Sequence, residues 1–261
     1  MKTIILIFIG VILFSCQEEN NNFSKLYFYE FYMSPKKMGE INIYIKGDTL
    51  FKNRNHYDAF NNRLEYILLT DKEKNTLSNI LNVLSNEKLK PYYKKNLTNY
   101  YFNWGFILHK KNNESYSSNI MDTINPKKLD KLYSFIRNKV KSPKFTEVYK
   151  KNEYRKIKIQ NILSLTHESS LDYLSDIKRR EMLYMIWHNL STGKLEDCNQ
   201  IKKALNFKYE VEFSYLLNAT NHKIEKIYLS KDNYLVIKFL NSNDYKCIKL
   251  KDVQIFDNVV D

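Results

Sequence analysis

The groups with chemistry to offer in this 261-residue chain are few: three thiols, five imidazoles and scattered carboxylates. The thiols are Cys16, Cys198 and Cys247, and the imidazoles are His56, His109, His167, His188 and His222, spread along the chain. Structural zinc needs four close nitrogen or sulfur ligands, and two late cysteines without neighbouring histidines do not supply them. His167-Glu168 begins like a zinc-protease helix, but Leu171 stands where the second histidine belongs. No metal site and no cofactor are therefore expected. Asp172 and Asp176 sit one turn apart on a helix surface, whereas carboxylate catalysis needs two acids converging in a cleft. Complementing the charge of a helix start is the simpler role for that pair. With five glycines in all, the chain holds neither a G-x-S-x-G nucleophile turn nor a phosphate-cradling loop. No catalytic residue is assigned, and the chain is expected not to be an enzyme.

The sharpest pattern is N-terminal. Lys2 gives a short positive start, and Ile4 to Phe14 is apolar apart from Gly10. That run is too short to cross a bilayer, which takes about 20 residues as a helix, and has the length of a secretory leader core. It ends on Leu13-Phe14-Ser15-Cys16, followed at once by Gln17-Glu18-Glu19 and Asn20 to Asn22. The junction resembles the lipobox of bacterial lipoproteins, in which an aliphatic residue stands three before the cysteine and a small one directly before it. Phe14 is bulkier than is usual there. The resemblance implies cleavage after Ser15, diacylglycerol on the Cys16 sulfur and an acylated new N-terminus. Each buried methylene contributes about 0.8 kcal/mol and one chain holds only marginally, so two or three chains make an anchor. It further implies a cell-envelope location, lipid-anchored in the outer membrane, with residues 17–22 as a polar tether. Gln17-Glu18-Glu19 also resembles an acidic surface-export signal.

An exported chain meets an oxidising compartment. Cys198 and Cys247 then have two readings, a disulfide or two independent buried thiols, and only geometry separates them.

The formal net charge of +13 favours anionic neighbours, although surplus surface lysine gives the same number. Basic residues interleave with aromatics at Tyr92-Tyr93-Lys94-Lys95 and from Tyr149 to Arg155. Such mixtures occur in nucleic-acid binders, but a tethered envelope protein does not meet nucleic acid, and none is expected as a partner. Anionic headgroups and a solvated basic face remain. Trp104 and Trp187 read as core.

The elements form two runs. In residues 23–142, Leu26–Met33, an Ile41–Phe51 hairpin turning at Lys46 to Thr49, and Arg63–Leu69 read as strands. Thr70-Asp71-Lys72-Glu73 reads as a capping box opening a helix with Leu77, Ile80, Leu81 and Leu84 on one side. A hairpin over Tyr100–Ile120 follows. Asn125-Pro126 reads as N-cap and first turn of a helix buried through Leu129, Leu132, Tyr133, Ile136 and Val140. In residues 143–261, a basic stretch at Lys144–Lys158 is followed by a helix over Asp176–Leu190 with Leu183, Ile186, Trp187 and Leu190 on one face. Gly193 stops it, and a second helix over Leu195–Leu205 is expected. Short strands from Tyr209 to Phe256 then read as an antiparallel meander.

The expectation is an α+β protein with antiparallel sheets, helices packed on one face, two small modules and a C-terminal meander. Its expected role is that of a membrane-tethered binding or scaffold protein with a protein or glycan partner in the envelope. The alternatives are an immunity-type inhibitor of a toxic enzyme and a hydrolase with an unfamiliar site.

Overall fold

The computed structural model describes residues 23–34, 37–56, 59–94, 101–121, 126–148, 157–164, 176–198, 206–215, 223–230 and 232–251. The protein is α+β, built on two sheets. The first has eight strands in the order β5-β7-β6-β1-β2-β3-β4-β8. These are β1 (Phe23–Ser34), β2 (Lys37–Lys46), β3 (Thr49–His56), β4 (Ala59–Leu68), β5 (Tyr92–Lys94), β6 (Tyr101–Lys110), β7 (Ser115–Met121) and β8 (Thr146–Glu147). All neighbours are antiparallel except β5 with β7. The second sheet has six strands in the order β10-β14-β13-β12-β11-β9. Its members are β9 (Ile157–Ser164), β10 (Glu196–Asp197), β11 (Phe207–Tyr215), β12 (Ile224–Ser230), β13 (Tyr234–Phe239) and β14 (Tyr245–Lys249). Strands β11 to β14 form the expected meander.

Local signals set the ends of these elements. Helix α1 (Asp71–Ser85) starts at a complete capping box. The Glu73 amide donates to Thr70 Oγ1 at 3.4 Å, and the Thr70 amide donates to the Glu73 carboxylate at 2.9 Å. Asn113, Asn233 and Asn241 take left-handed φ values of 60–67°. Asparagine is the side chain that tolerates this conformation best after glycine, and each of the three lies in a polar segment the sequence marks as a turn. Helix α2 (Lys127–Val140) begins one residue later than expected. Pro126 is its N-cap and makes no side-chain cap bond. Glu196 and Asp197, expected in a helix, instead form β10, pairing with Lys246 and Cys247 of β14. Partner strands decide such a short piece, and local propensity does not.

β1 runs Phe-Ser-Lys-Leu-Tyr-Phe-Tyr-Glu-Phe-Tyr and is buried on both faces. Its even positions Leu26 and Phe28 join Ile43, Phe106, Leu81 and Leu132 in a core beneath α1 and α2. Glu30 is the charged exception on that face. It accepts from Arg137 at 2.9 Å and from the Tyr133 hydroxyl at 3.4 Å. The odd positions Tyr27, Tyr29 and Phe31 pack on the other side, in a core shared with helix α3 (Asp176–Thr192) and with Ile227, Leu235 and Ile237 of the second sheet. Helices thus cover both faces of the first sheet. The layer order is α1 and α2, first sheet, α3, second sheet.

Helix α3 is buried through Met182, Tyr184, Met185, Ile186, Trp187 and Leu190. Those positions run around the helix, so the expected single apolar face is replaced by burial on two sides. From Met182 to Leu190 apolar residues lie on more than one side, and such a stretch belongs inside a protein. The expected division between residues 142 and 143 falls between α2 and β8, and β8 then pairs with β4 of the first sheet.

Gly105 on β6 lets α3 approach. A Cβ there would stand 2.8 Å from the Tyr29 ring, 2.9 Å from Ile177 Cδ1 and 2.9 Å from the Ser118 carbonyl. Gly105→Ala is expected to destabilise the fold by about 1–3 kcal/mol, the usual cost of overpacking. Gly47→Asn, at a turn with φ +60° and nothing within 4 Å, is expected to cost far less. Urea midpoints of the two variants check the contrast.

Candidate functional site

Polar side chains converge at the seam between α3 and the first sheet. Alternation along the strands puts Tyr27 and Tyr29 of β1, Glu40 and Asn42 of β2, Asn103 and His109 of β6 and Asn119 of β7 on the face that α3 covers. The Tyr27 hydroxyl donates to Asn42 Oδ1 at 2.6 Å, and Asn42 Nδ2 donates to Glu40 Oε1 at 3.2 Å. The Tyr29 hydroxyl lies 3.0 Å from Asn103 Oδ1 and 2.7 Å from Asn119 Oδ1. Its single proton serves one of the two amides at a time.

Two successive residues of α3 reach the strands on either side of β1. Arg180 donates to Glu40 of β2 at 3.3 Å. Its guanidinium lies 5.1 Å from the Tyr29 ring centre and 5.8 Å from that of Phe31, within the range of cation–π attraction. Glu181, buried at 2% side-chain exposure, meets His109 Nε2 of β6 at 2.6 Å. The helix therefore straddles β1 and is clamped to both neighbours. The same polar groups that could have served acid–base chemistry are engaged in holding this seam.

Farther along α3, Tyr184 packs against Tyr27 and Tyr44, His188 against Tyr44 and Phe51, and Trp187 against Tyr184. The Tyr184 hydroxyl, Trp187 Nε1 and Ser191 Oγ are buried and make no hydrogen bond among the described residues.

The second concave feature lies on the opposite face of the first sheet, at the start of β1. It is a groove of about 380 Å³. Leu26, Ile45, Leu77 and Leu81 are among its apolar walls, and Lys25, Lys46, Lys74 and Lys111 stand around it. Lys74 also pairs with Asp71 at 2.8 Å.

The residues singled out in the sequence fall as follows. Cys16 lies outside the described residues, as do His167, Glu168, Leu171, Asp172 and His222. For His56 and Asp176 only the backbone is described. Cys198, immediately after β10, is joined to Cys247 of β14 by a disulfide with Cα atoms 5.3 Å apart. The bridge is buried beside Val236, under Phe207, Tyr228, Tyr234 and Tyr245. Trp104 and Trp187 are both core. Among the described residues, no group of three or more His, Cys, Asp or Glu is placed to hold a metal. The His109–Glu181 pair escaped sequence reasoning because 72 positions separate its members. The charged run Lys178 to Glu181 just before the apolar stretch of the helix was the available signal, and it did not name the partner.

Fold and seam define an α+β protein of two sheets locked by a central helix. The chain matches no family model, no curated protein and no solved structure.

Burial holds the phenols of the two cores un-ionised. Desolvation pushes Tyr27 well above its ordinary pKa, with Glu40 adding to the shift, and desolvation likewise raises Tyr184. Tyr133 is pushed up to about 12 by desolvation and by Glu30. A phenol with a raised folded pKa contributes stability that is whole below its unfolded pKa and lost as pH rises through the folded value. Stability is therefore expected to fall at alkaline pH, with these tyrosines ionising only as the protein unfolds. Tyrosinate absorbance and circular dichroism, followed together in one alkaline titration, should show the late fraction coinciding with loss of structure. Complete ionisation of the tyrosines in a folded chain would contradict it.

Proposed function

We propose that the protein is a lipid-anchored, non-enzymatic binding protein of the bacterial cell envelope, tethered through Cys16 and residues 17–22. One observation carries the reading: the apolar run Ile4–Phe14 stops on Leu13-Phe14-Ser15-Cys16 and gives way at once to a polar stretch. An apolar core of that length with a small residue directly before a cysteine suits a leader that is cut and replaced by lipid. Residues 17–22 are all polar, the composition of a spacer. The binding role is supported by the groove at the start of β1. It is also supported by the seam, whose carboxylates, guanidinium and imidazole are occupied with one another. An outer-membrane location and a protein or glycan partner in the envelope extend the same reading.

Cells producing the chain with Cys16→Ala and cells producing the wild type, both given labelled palmitate, test it. The wild type is expected to take up label, stay with the membrane fraction and yield an N-terminal peptide that starts at a diacylated Cys16. The variant is expected to take up no label and to leave the membrane. A wild-type N-terminus with a bare thiol, or with its leader intact, contradicts the proposal.

A further inference from the structure

We infer that the outer edge of β9 takes up an extended, acidic segment of a partner protein as an added strand. This rests on the binding reading above and deepens it by naming the partner's class. A sheet edge presents a row of unpaired N–H and C=O groups, and proteins keep such edges short or covered. Three of the four outermost strands here are stubs: β5 has three residues, β8 two and β10 two. The fourth, β9, has eight. Among the described residues it pairs on one side only, with β11.

What β9 offers is backbone. Its apolar side chains Ile157, Ile159 and Ile162 are already buried in the core that α3 shares with both sheets. The ligand that meets free N–H and C=O groups at ladder spacing is another extended peptide, which adds to the sheet through main-chain bonds. A glycan or a lipid has no such row of groups. The register shifts between Glu212 and Phe213, which leaves Gln160 of β9 unopposed and exposed. A bulge of this kind bends the strand. It leaves Asn161–Ser164 as the uninterrupted stretch, so the edge suits a short segment and resists long, indiscriminate pairing.

Charge selects the segment. The chain carries a formal +13, so a second copy pairing β9 to β9 meets like charge, whereas an acidic strand meets the opposite. Lys158 is the one charged residue of β9, and the sequence from Lys144 to Lys158 holds six basic residues against two acidic ones. The carboxylates nearest in the sheet, Glu210 and Glu212, belong to β11, on the inner side of β9. Glu210 is paired with Lys226 at 3.3 Å.

The test uses the full chain carrying Cys16→Ala and, as probe, the end-blocked peptide Glu-Thr-Val-Glu-Val-Thr-Val-Glu. Calorimetry measures binding and hydrogen–deuterium exchange locates it. Saturable binding of one peptide per chain is expected, weakened by added salt, with exchange slowed in β9. The same peptide with lysine for glutamate is expected to bind about tenfold more weakly or worse, since it reverses the charge attraction. The peptide methylated at every amide nitrogen is expected not to bind. Neighbouring N–H groups of a strand point to opposite edges, so one of Leu163→Pro and Ser164→Pro removes an outward donor. The variant that keeps the native melting temperature is expected to lose about tenfold in affinity, roughly the value of one hydrogen bond. Should neither fold, the exchange map of the parent chain decides. The inference is overturned by absence of saturable binding, by equal binding of the methylated peptide, or by dimers of the chain formed through β9. Protection at the groove beside β1 with β9 unchanged overturns it too, and leaves the binding reading standing. The palmitate experiment on Cys16 is untouched by every one of these outcomes.

Discussion

A helix buried on two sides holds this protein together. Both of its long flanks are covered, one by the tyrosine-bearing face of the first sheet and the other by the second sheet. Removing α3 would expose two sheets at once, and neither has a second helix layer over that surface among the described residues. Most antiparallel sheets keep one face in water. The first sheet here keeps none over its central strands, which is why β1 reads as a nearly unbroken aromatic and aliphatic run instead of an alternating one.

The two faces of that sheet are chemically different, and the difference divides the labour. Toward α1 and α2 the residues are aliphatic side chains and the rings of Phe28, Trp104 and Phe106, with the Glu30–Arg137 and Lys52–Glu65 pairs as polar points. Burial raises the Glu30 carboxyl while Arg137 pulls it back down, a balance of the kind that removing one partner would upset. Toward α3 the face carries phenols and amides, which make directional bonds. Apolar contact alone would let a helix slide along a sheet. Arg180 on Glu40 and Glu181 on His109 fix its position across β1. The groove belongs to the side of α1, where the start of β1 leaves a gap.

Much of this architecture was legible in the sequence because its causes are local. The Thr70–Glu73 box, the Asn113, Asn233 and Asn241 turns and the alternation in β11 to β14 each depend on residues within a few positions of one another. What escaped has causes spread along the chain. Glu196 and Asp197 are strand because β14 is beside them, and no property of those two residues says so. The second face of α3 was written in Met182, Tyr184 and Met185, but apolar residues all round a helix do not reveal what lies on each side. The groove draws its lysines from β1, β2, α1 and the turn after β6, and only the sheet order makes them neighbours. Cys198 and Cys247, left open between bridge and free thiols, are joined because β10 docks on β14.

If α3 is the shared core of both sheets, the protein unfolds as one unit. Native-state hydrogen exchange at increasing denaturant measures this directly. Amides of β1, α3 and β13 should converge on the same opening free energy and the same denaturant dependence, as members of one cooperative unit do. If β13 exchanges through a cheaper opening while β1 and α3 stay protected, the second sheet is an independent attachment and the account fails.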